Sequence, residues 1–307
     1  MSSDRPAAAA VTAAPRAGAA RAADYLELTK PRVTALVVVT TAVGFFVGSG
    51  ARVDPARLLH TVLGTLLVAA GASAINQVLE RVEDGRMLRT RRRPLPAGRL
   101  EAAPALLFGA GLSVAGLLDL LVGVNSLTAV LAALSAVSYL FAYTPLKKIT
   151  SLCTLVGAIP GALPALMGFT AAQGTVTAGG LALFAILFVW QIPHSLAIAW
   201  LYRDDYGRGG FALLPVVDPE GGSTGRQIVS HSLVLLPISL VPAVVGIAGP
   251  VYLYGALLLG LGMLAAALPM IVRRSMGGAR RLLLASVIYL PLLLGLLAFD
   301  RIVPLAP

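Results

Sequence analysis

The chain has 307 residues, 57% of them hydrophobic and only 12% charged, with a formal net charge of +10. An ordinary soluble domain carries about twice that share of charge, so the soluble, disordered and collagen-like classes are excluded. One cysteine excludes an internal disulfide framework, and three histidines far apart argue against a His-rich metal site.

Residues 1–24 are rich in Ala, Arg and Ser and lack an apolar signal core, so they read as a disordered tail before a single domain over 25–307. Lys30-Pro31-Arg32 then opens the first long apolar run, with proline where a first helical turn tolerates it. A spanning helix needs about 20 mainly apolar residues. The charge-free runs accommodate nine, at 33–50, 58–79, 104–122, 126–143, 152–172, 178–200, 228–248, 251–271 and 282–299. The two longest runs divide at Gln173-Gly174-Thr175 and at Gly249-Pro250. Continuous apolar runs argue against a β-barrel, whose strands alternate. Of the 24 Lys and Arg, all but Arg52, Arg57 and Arg301 fall on the N-terminal tail or on even-numbered loops. The positive-inside rule therefore predicts a cytoplasmic N-terminus and an outside C-terminus, and it accounts for the basicity without nucleic acid. The expected fold is an all-α polytopic membrane protein, with nine transmembrane helices around a central cavity open to the cytoplasmic side.

The polar chemistry starts in the second loop. Asn76, Glu80 and Asp84 are spaced i, i+4, i+8. On one helix they would fall within an arc of about 80°, roughly 6 Å apart along the axis. Two carboxylates and an amide oxygen suit Mg²⁺, a hard cation that bridges to substrate phosphates. Arg86, Arg89, Arg91, Arg92, Arg93 and Arg99 follow, and arginine grips phosphate through a planar fork. This combination fits a Mg²⁺–diphosphate site; the plain alternative is a solvated loop whose arginines only set topology. Asn76 and Glu80 lie in or beside an apolar run, where polar groups are expensive. Glu83 falls off the ladder and is expected to face solvent.

The sixth loop repeats the pattern with Tyr202, Arg203, Asp204, Asp205, Tyr206 and Arg208. Adjacent residues do not share a helix face, so only one of Asp204 and Asp205 should point at a common site. His194 lies two to three turns inside the sixth span, open to reading as a packed histidine or as a functional one. Tyr143-Thr144-Pro145-Leu146-Lys147-Lys148 reads alone as an interfacial anchor. Gly157 and Gly161 provide a small-xxx-small face for helix approach, and Cys153 reads as a packing residue. His60, His231 and Asp119 have no visible constellation.

These stretches resemble one family. Leu28-Thr-Lys-Pro-Arg32, Asn76-x3-Glu80-x3-Asp84, Met87-x-Arg89-Thr90-x2-Arg93-Pro94-Leu95, Tyr143-Thr144, Gly157-x3-Gly161, Pro193-His194, Asp205-Tyr206 and Leu214-Pro215-Val216-Val217 resemble the haem O synthase (protohaem IX farnesyltransferase) branch of the UbiA-type intramembrane prenyltransferases. The likeness runs from about residue 25 to 300. Two features depart from the wider pattern. A second Asp-x3-Asp ladder is lacking, because Leu201 and Gly209 flank Asp205 at four residues on either side, and Cys153 stands where asparagine is expected.

The resemblance implies transfer of a farnesyl group from farnesyl diphosphate to a vinyl group of protohaem IX, giving haem O and diphosphate for haem–copper oxidase biogenesis. It implies Mg²⁺ held by Asn76, Glu80, Asp84 and Asp205, and diphosphate contacts from Arg89, Arg93 and Lys147. Tyr143 and Tyr206 join the substrate-binding set, and His194 is the candidate for contacting the haem. A bacterial cytoplasmic (inner) membrane is the implied location, with haem A synthase or oxidase assembly proteins as handover partners. Two other readings stay open: a relative that prenylates an aromatic quinone precursor, and a non-catalytic haem-handling transporter. The transporter would place its charges near the bilayer midplane, whereas these lie at the rim.

Overall fold

The computed structural model describes residues 17–302. Among them nine helices are long and apolar enough to cross a membrane: Pro31–Gly48, Pro55–Leu79, Ala102–Gly123, Ser126–Leu146, Cys153–Gln173, Ala178–Leu201, Gly222–Val244, Pro250–Val272 and Met276–Phe299. They are called spans one to nine below. The expected count holds, with shifted ends. Spans seven and nine begin six residues before the expected 228 and 282, so that Arg226, Arg280 and Arg281 are helical. A charge-free run marks the apolar slab, whereas backbone hydrogen bonding carries the helix on into the polar interface. The tail expected to be disordered over 1–24 contains a helix, Ala17–Leu28; residues 1–16 lie outside the described residues. That helix is tied down by Arg99, which bonds Asp24 at 2.8 Å and Glu27 at 2.9 Å. Gln77 Nε2 also donates to the Leu28 carbonyl, at 3.0 Å.

Local chemistry sets the ends of the spans. Proline occupies the first turn of spans one, two and eight. Asp54 accepts from Arg57 N at 3.0 Å, Asn125 from Thr128 N at 2.8 Å and Ser275 from Gly278 N at 3.0 Å, each satisfying an orphan donor. Gly174 closes span five in the left-handed conformation at φ 75°, where the sequence places a break. Span four does not end as a plain α-helix: Ser138–Tyr143 is a π-helical turn. Such turns are rare and concentrate at functional sites. This one carries Tyr139 and Tyr143 onto the cavity wall.

The bundle has a solid half and a hollow half. Spans five to nine share a continuous core that includes Leu183, Ile186, Leu235, Tyr252, Met263, Tyr289 and Leu293. The hollow half holds a cavity of about 480 Å³, walled by spans one, two, four, five and six. Span five joins the halves. A Cβ on Gly44 would collide with the Ala165 carbonyl and one on Gly168 with the Thr41 carbonyl, so spans one and five pack backbone against backbone. Gly157 and Gly161, expected to serve that purpose, instead make room for side chains: the Tyr143 ring and the Gln191 amide.

At the end of the bundle away from the ladder, Arg301 donates to the carbonyls of Phe46 and Ser49 and lies 3.8 Å from the centroid of the Phe46 ring. These groups belong to the end of span one, so Arg301 fastens the end of span nine to it.

Candidate functional site

Asn76, Glu80 and Asp84 converge on the mouth of the cavity, as their spacing predicts. They do not share one unbroken helix. Span two ends at Leu79, Glu80 stands at the break with φ −100°, and Asp84 lies on a separate short helix, Arg81–Arg86. All three are buried, at 1%, 4% and 1% exposure. Each has its own cationic partner. Lys30 Nζ donates to Asn76 Oδ1 at 2.8 Å. Lys147 Nζ pairs with Glu80. Arg93 Nη1 donates to Asp84 Oδ2 at 2.7 Å. Asn76 Nδ2 donates to Thr144 Oγ1 at 3.1 Å, which aims the amide oxygen at Lys30. Asp84 Oδ1 is buried with no hydrogen-bond partner among the described residues.

Burial and neighbouring charge tune these groups. Burial pushes the Lys30 ammonium down to about 7, and Arg93 and Lys147 push the same way. Burial also opposes the charge on Lys147, but Glu80 outweighs it and holds that pKa above the usual lysine value. Tyr143 and Phe211 put their rings 4.8 and 5.1 Å from Lys147 Nζ, a cation–π cage that fixes its position. Lys30 itself is strained, with φ 49° and ψ 63°, a left-handed conformation rarely taken by residues other than glycine. Its motif was legible in the sequence, but its place against Asn76 was not.

Loops two and six close over the mouth together. Asp205 is buried, yet it does not line the cavity. Its Oδ1 accepts from Leu88 N at 2.7 Å and its Oδ2 from Arg89 N at 3.2 Å, while Arg208 lies 3.1 Å from Oδ1. Both carboxylate oxygens are thus engaged in holding loop two, which corrects the expectation of a metal ligand there. Asp204 is largely exposed. Arg89 does line the cavity; its guanidinium lies 5.2 and 5.5 Å from the Tyr202 and Tyr206 rings and donates to the Tyr206 hydroxyl at 3.3 Å. Cys153 packs with Met87, Ala199, Phe211 and Leu213 beneath these loops, as a packing residue should.

His194 is a second correction. Gln191, Ser195 and Ile198 line the cavity, but His194 does not. Its Nδ1 shares a 2.8 Å hydrogen bond with Ser286 Oγ of span nine, and its ring stacks 4.7 Å from Trp190. The reason is helical phase. One residue is about 100° of rotation, so the 191/195/198 face looks into the cavity while the 190/194 face looks at span nine. Depth alone could not reveal that. Glu83, expected in solvent, is only 9% exposed and pairs with Lys148 at 2.5 Å. Burial pushes its carboxyl up, but the Lys148 hydrogen bond and charge win and hold it below the usual value. His60 and Asp119 also find each other, at 2.8 Å between spans two and three. His231 Nδ1 bonds the Gln227 carbonyl of its own helix at 2.8 Å.

No group of three His, Cys, Asp or Glu side chains among the described residues could hold a metal ion unaided. A cation at Glu80 and Asp84 would complete its shell with oxygens from elsewhere. Mg²⁺ does so with water and substrate phosphates, and the orphaned Asp84 Oδ1 suits it.

Comparison with known proteins identifies the family and the fold. Residues 37–297 match the model of the UbiA prenyltransferase family. A protoheme IX farnesyltransferase from Solibacter usitatus is 50% identical over 287 residues, covering 91% of this chain and 98% of that protein. Among solved structures, one of digeranylgeranylglyceryl phosphate synthase superposes with a TM-score of 0.78 at 18% identity, covering 92% and 98% of the two chains. A UbiA homologue from Archaeoglobus fulgidus bound to DMAPP and Mg²⁺ superposes with a TM-score of 0.65 at 16% identity, covering 89% and 99%.

Proposed function

The chain belongs to the UbiA prenyltransferase family, within its protohaem IX farnesyltransferase branch, and from that premise we propose that it transfers farnesyl from farnesyl diphosphate to a vinyl group of protohaem IX with uptake of one water, releasing haem O, whose new side chain carries a hydroxyl, and diphosphate. The observation that carries the reading is the pairing of each ladder residue with a cation at the mouth of an apolar cavity.

The bond to be broken is the farnesyl C1–O bond, whose electron pair leaves with the diphosphate. Mg²⁺ held by Asn76, Glu80 and Asp84 would supply charge stabilisation to the leaving oxygens. Arg93, Lys147 and Lys30 stand beside those residues already, and Arg89 lines the same mouth. Each is placed to exchange its present partner for a diphosphate oxygen. One well-aimed donor of this kind contributes about 10²–10³ in rate. Below the mouth, Val33, Val37, Val68 and Ala132 give an apolar wall that accepts the prenyl chain and keeps bulk water from the allylic cation. Tyr143 and Tyr139 put aromatic faces near the level where that cation forms. Asp205 acts by holding Leu88 and Arg89 in place, and Tyr206 by steadying the Arg89 guanidinium.

Homologues from bacteria and the distribution of basic loops support a bacterial inner membrane, with the ladder end cytoplasmic. Haem A synthase or oxidase assembly proteins are the handover partners this reading implies. The test is incubation of membranes carrying the protein with farnesyl diphosphate and a choice of protohaem or an aromatic quinone precursor, with products identified by mass. Farnesylated, hydroxylated haem is expected. Prenylation of the aromatic acceptor alone would overturn the assignment of acceptor.

A further inference from the structure

The proposed product carries a hydroxyl group as well as a farnesyl chain, and that sets a requirement on the cavity. When the vinyl π pair forms the new bond to farnesyl C1, a cation is left on the carbon attached to the porphyrin. Two outcomes compete. Loss of a proton from the neighbouring CH₂ gives an alkene. Attack by water gives the hydroxyl, and the water's spare proton goes to the released diphosphate. In an apolar chamber the second outcome needs a water molecule held in place, and a held water needs at least two polar partners.

Gln191 meets this requirement. Its Nε2 donates to the carbonyls of Ala158 and Leu187, both at 2.9 Å. Two acceptors on one side fix which end of the amide is nitrogen, so Oε1 is the end left to receive a bond. Oε1 lies over Gly161, where any Cβ would collide with it. Gln191, Gly161 and Ser195 all line the cavity. Ser195 is four residues on, on the same helix face, with its Cβ about 5–6 Å from that of Gln191. Gly161 lies one turn, about 6 Å, beyond Gly157. The Tyr143 ring covers Gly157 and lies against Lys147. The amide oxygen is therefore deeper than the diphosphate mouth, about one turn beyond the Tyr143 ring.

We propose that Gln191 Oε1 and the Ser195 hydroxyl hold the water molecule that becomes the hydroxyl oxygen of the product, so that Gln191 decides between hydration and proton loss. The proposal rests on the haem-farnesylating reading above. Gln191 is a positioning residue here: it orients the water and is not itself altered.

The experiment compares Gln191→Leu, Gln191→Glu and Gly161→Ala with the unaltered protein, in membranes supplied with farnesyl diphosphate and protohaem. Product identity is read by mass, and farnesyl diphosphate binding is read separately. Gln191→Leu should turn the product toward farnesylated haem lighter by one water, lowering the ratio of hydroxylated to dehydrated product at least about tenfold, the worth of one well-made hydrogen bond. Gln191→Glu loses both donor bonds to the Ala158 and Leu187 carbonyls that hold the amide in place, and should also raise the dehydrated share. Gly161→Ala leaves Gln191 in the sequence but displaces Oε1, and should also raise the dehydrated share. Hydroxylated product alone from both Gln191→Leu and Gly161→Ala would overturn the proposal. So would loss of both products in Gln191→Leu with diphosphate binding intact. If the unaltered protein farnesylates no haem, the functional reading fails instead, which is a separate result.

Discussion

Arg93 closes on Asp84 at 2.7 Å, from nine residues further along the same loop, and Asp84 is almost wholly buried when it does so. The pair leaves one Asp84 oxygen, Oδ1, buried and unpartnered among the described residues. A buried carboxylate with one oxygen satisfied and one orphaned is costly for stability alone. It is economical for a site that must receive a cation beside Asp84 and an anion beside Arg93.

Asp84→Ala should therefore insert and fold but lose at least about a hundredfold in farnesyl transfer, in line with the loss of one charge-stabilising group. Activity of the unaltered protein should vanish with EDTA and return with Mg²⁺. Steady turnover in EDTA would make the ladder a structural feature.

Arg93→Lys keeps the charge but loses the planar fork, and transfer should fall by at least about tenfold. Arg89→Lys should be similarly impaired, because Arg89 also loses its stacking against Tyr202 and Tyr206. Arg52→Lys, in the loop between spans one and two, should be neutral. Equal tolerance at all three positions would reduce the cluster to a topology signal.

His194 packs against Trp190 and Ser286, away from the cavity. His194→Ala should thus act on stability, by about 1–3 kcal/mol for a lost buried contact and hydrogen bond, seen as a lower thermal midpoint in detergent. The protein that stays folded should retain transfer within about threefold. A normally stable but inactive His194→Ala would contradict this placement and return the histidine to the acceptor site.

Arg301 makes the matching prediction at the other end of the bundle. Arg301→Ala frees the carbonyls of Phe46 and Ser49 and removes the contact with the Phe46 ring. A loss of about 1–3 kcal/mol in stability is expected, with the rate of the folded enzyme unchanged. A fall in rate without a fall in stability would mean that this end communicates with the mouth.

Much of this arrangement was legible in the sequence, for identifiable reasons. Apolar runs long enough to span have few alternatives, so the nine helices could be counted. The i, i+4, i+8 spacing of Asn76, Glu80 and Asp84 survived even though the helix breaks at Glu80, because backbone bonds from Glu80 N to the Asn76 carbonyl (2.9 Å) and from Asp84 N to the Glu80 carbonyl (2.8 Å) keep the helical spacing across the break. Helical phase across a contact could not be read. Whether residue 191 or residue 194 faces the cavity depends on where span nine packs, and the sequence of span six does not contain that. Side-chain pairings distant in the chain were equally hidden. Lys30 with Asn76, Glu83 with Lys148 and His60 with Asp119 each join different segments. The π-helical turn at Ser138–Tyr143 had no composition signal, since its residues suit an α-helix as well.

The most direct measurement is a structure with Mg²⁺ and a farnesyl diphosphate analogue whose bridging oxygen is replaced by sulfur, so that it cannot ionise readily. The account predicts the diphosphate at the mouth of the cavity, with Arg93 and Lys147 turned from Asp84 and Glu80 onto its oxygens, the cation on the freed carboxylates, and the prenyl chain lying along the wall of Val33, Val37, Val68 and Ala132. A diphosphate bound elsewhere, with the Arg93–Asp84 and Lys147–Glu80 pairs intact, would contradict it.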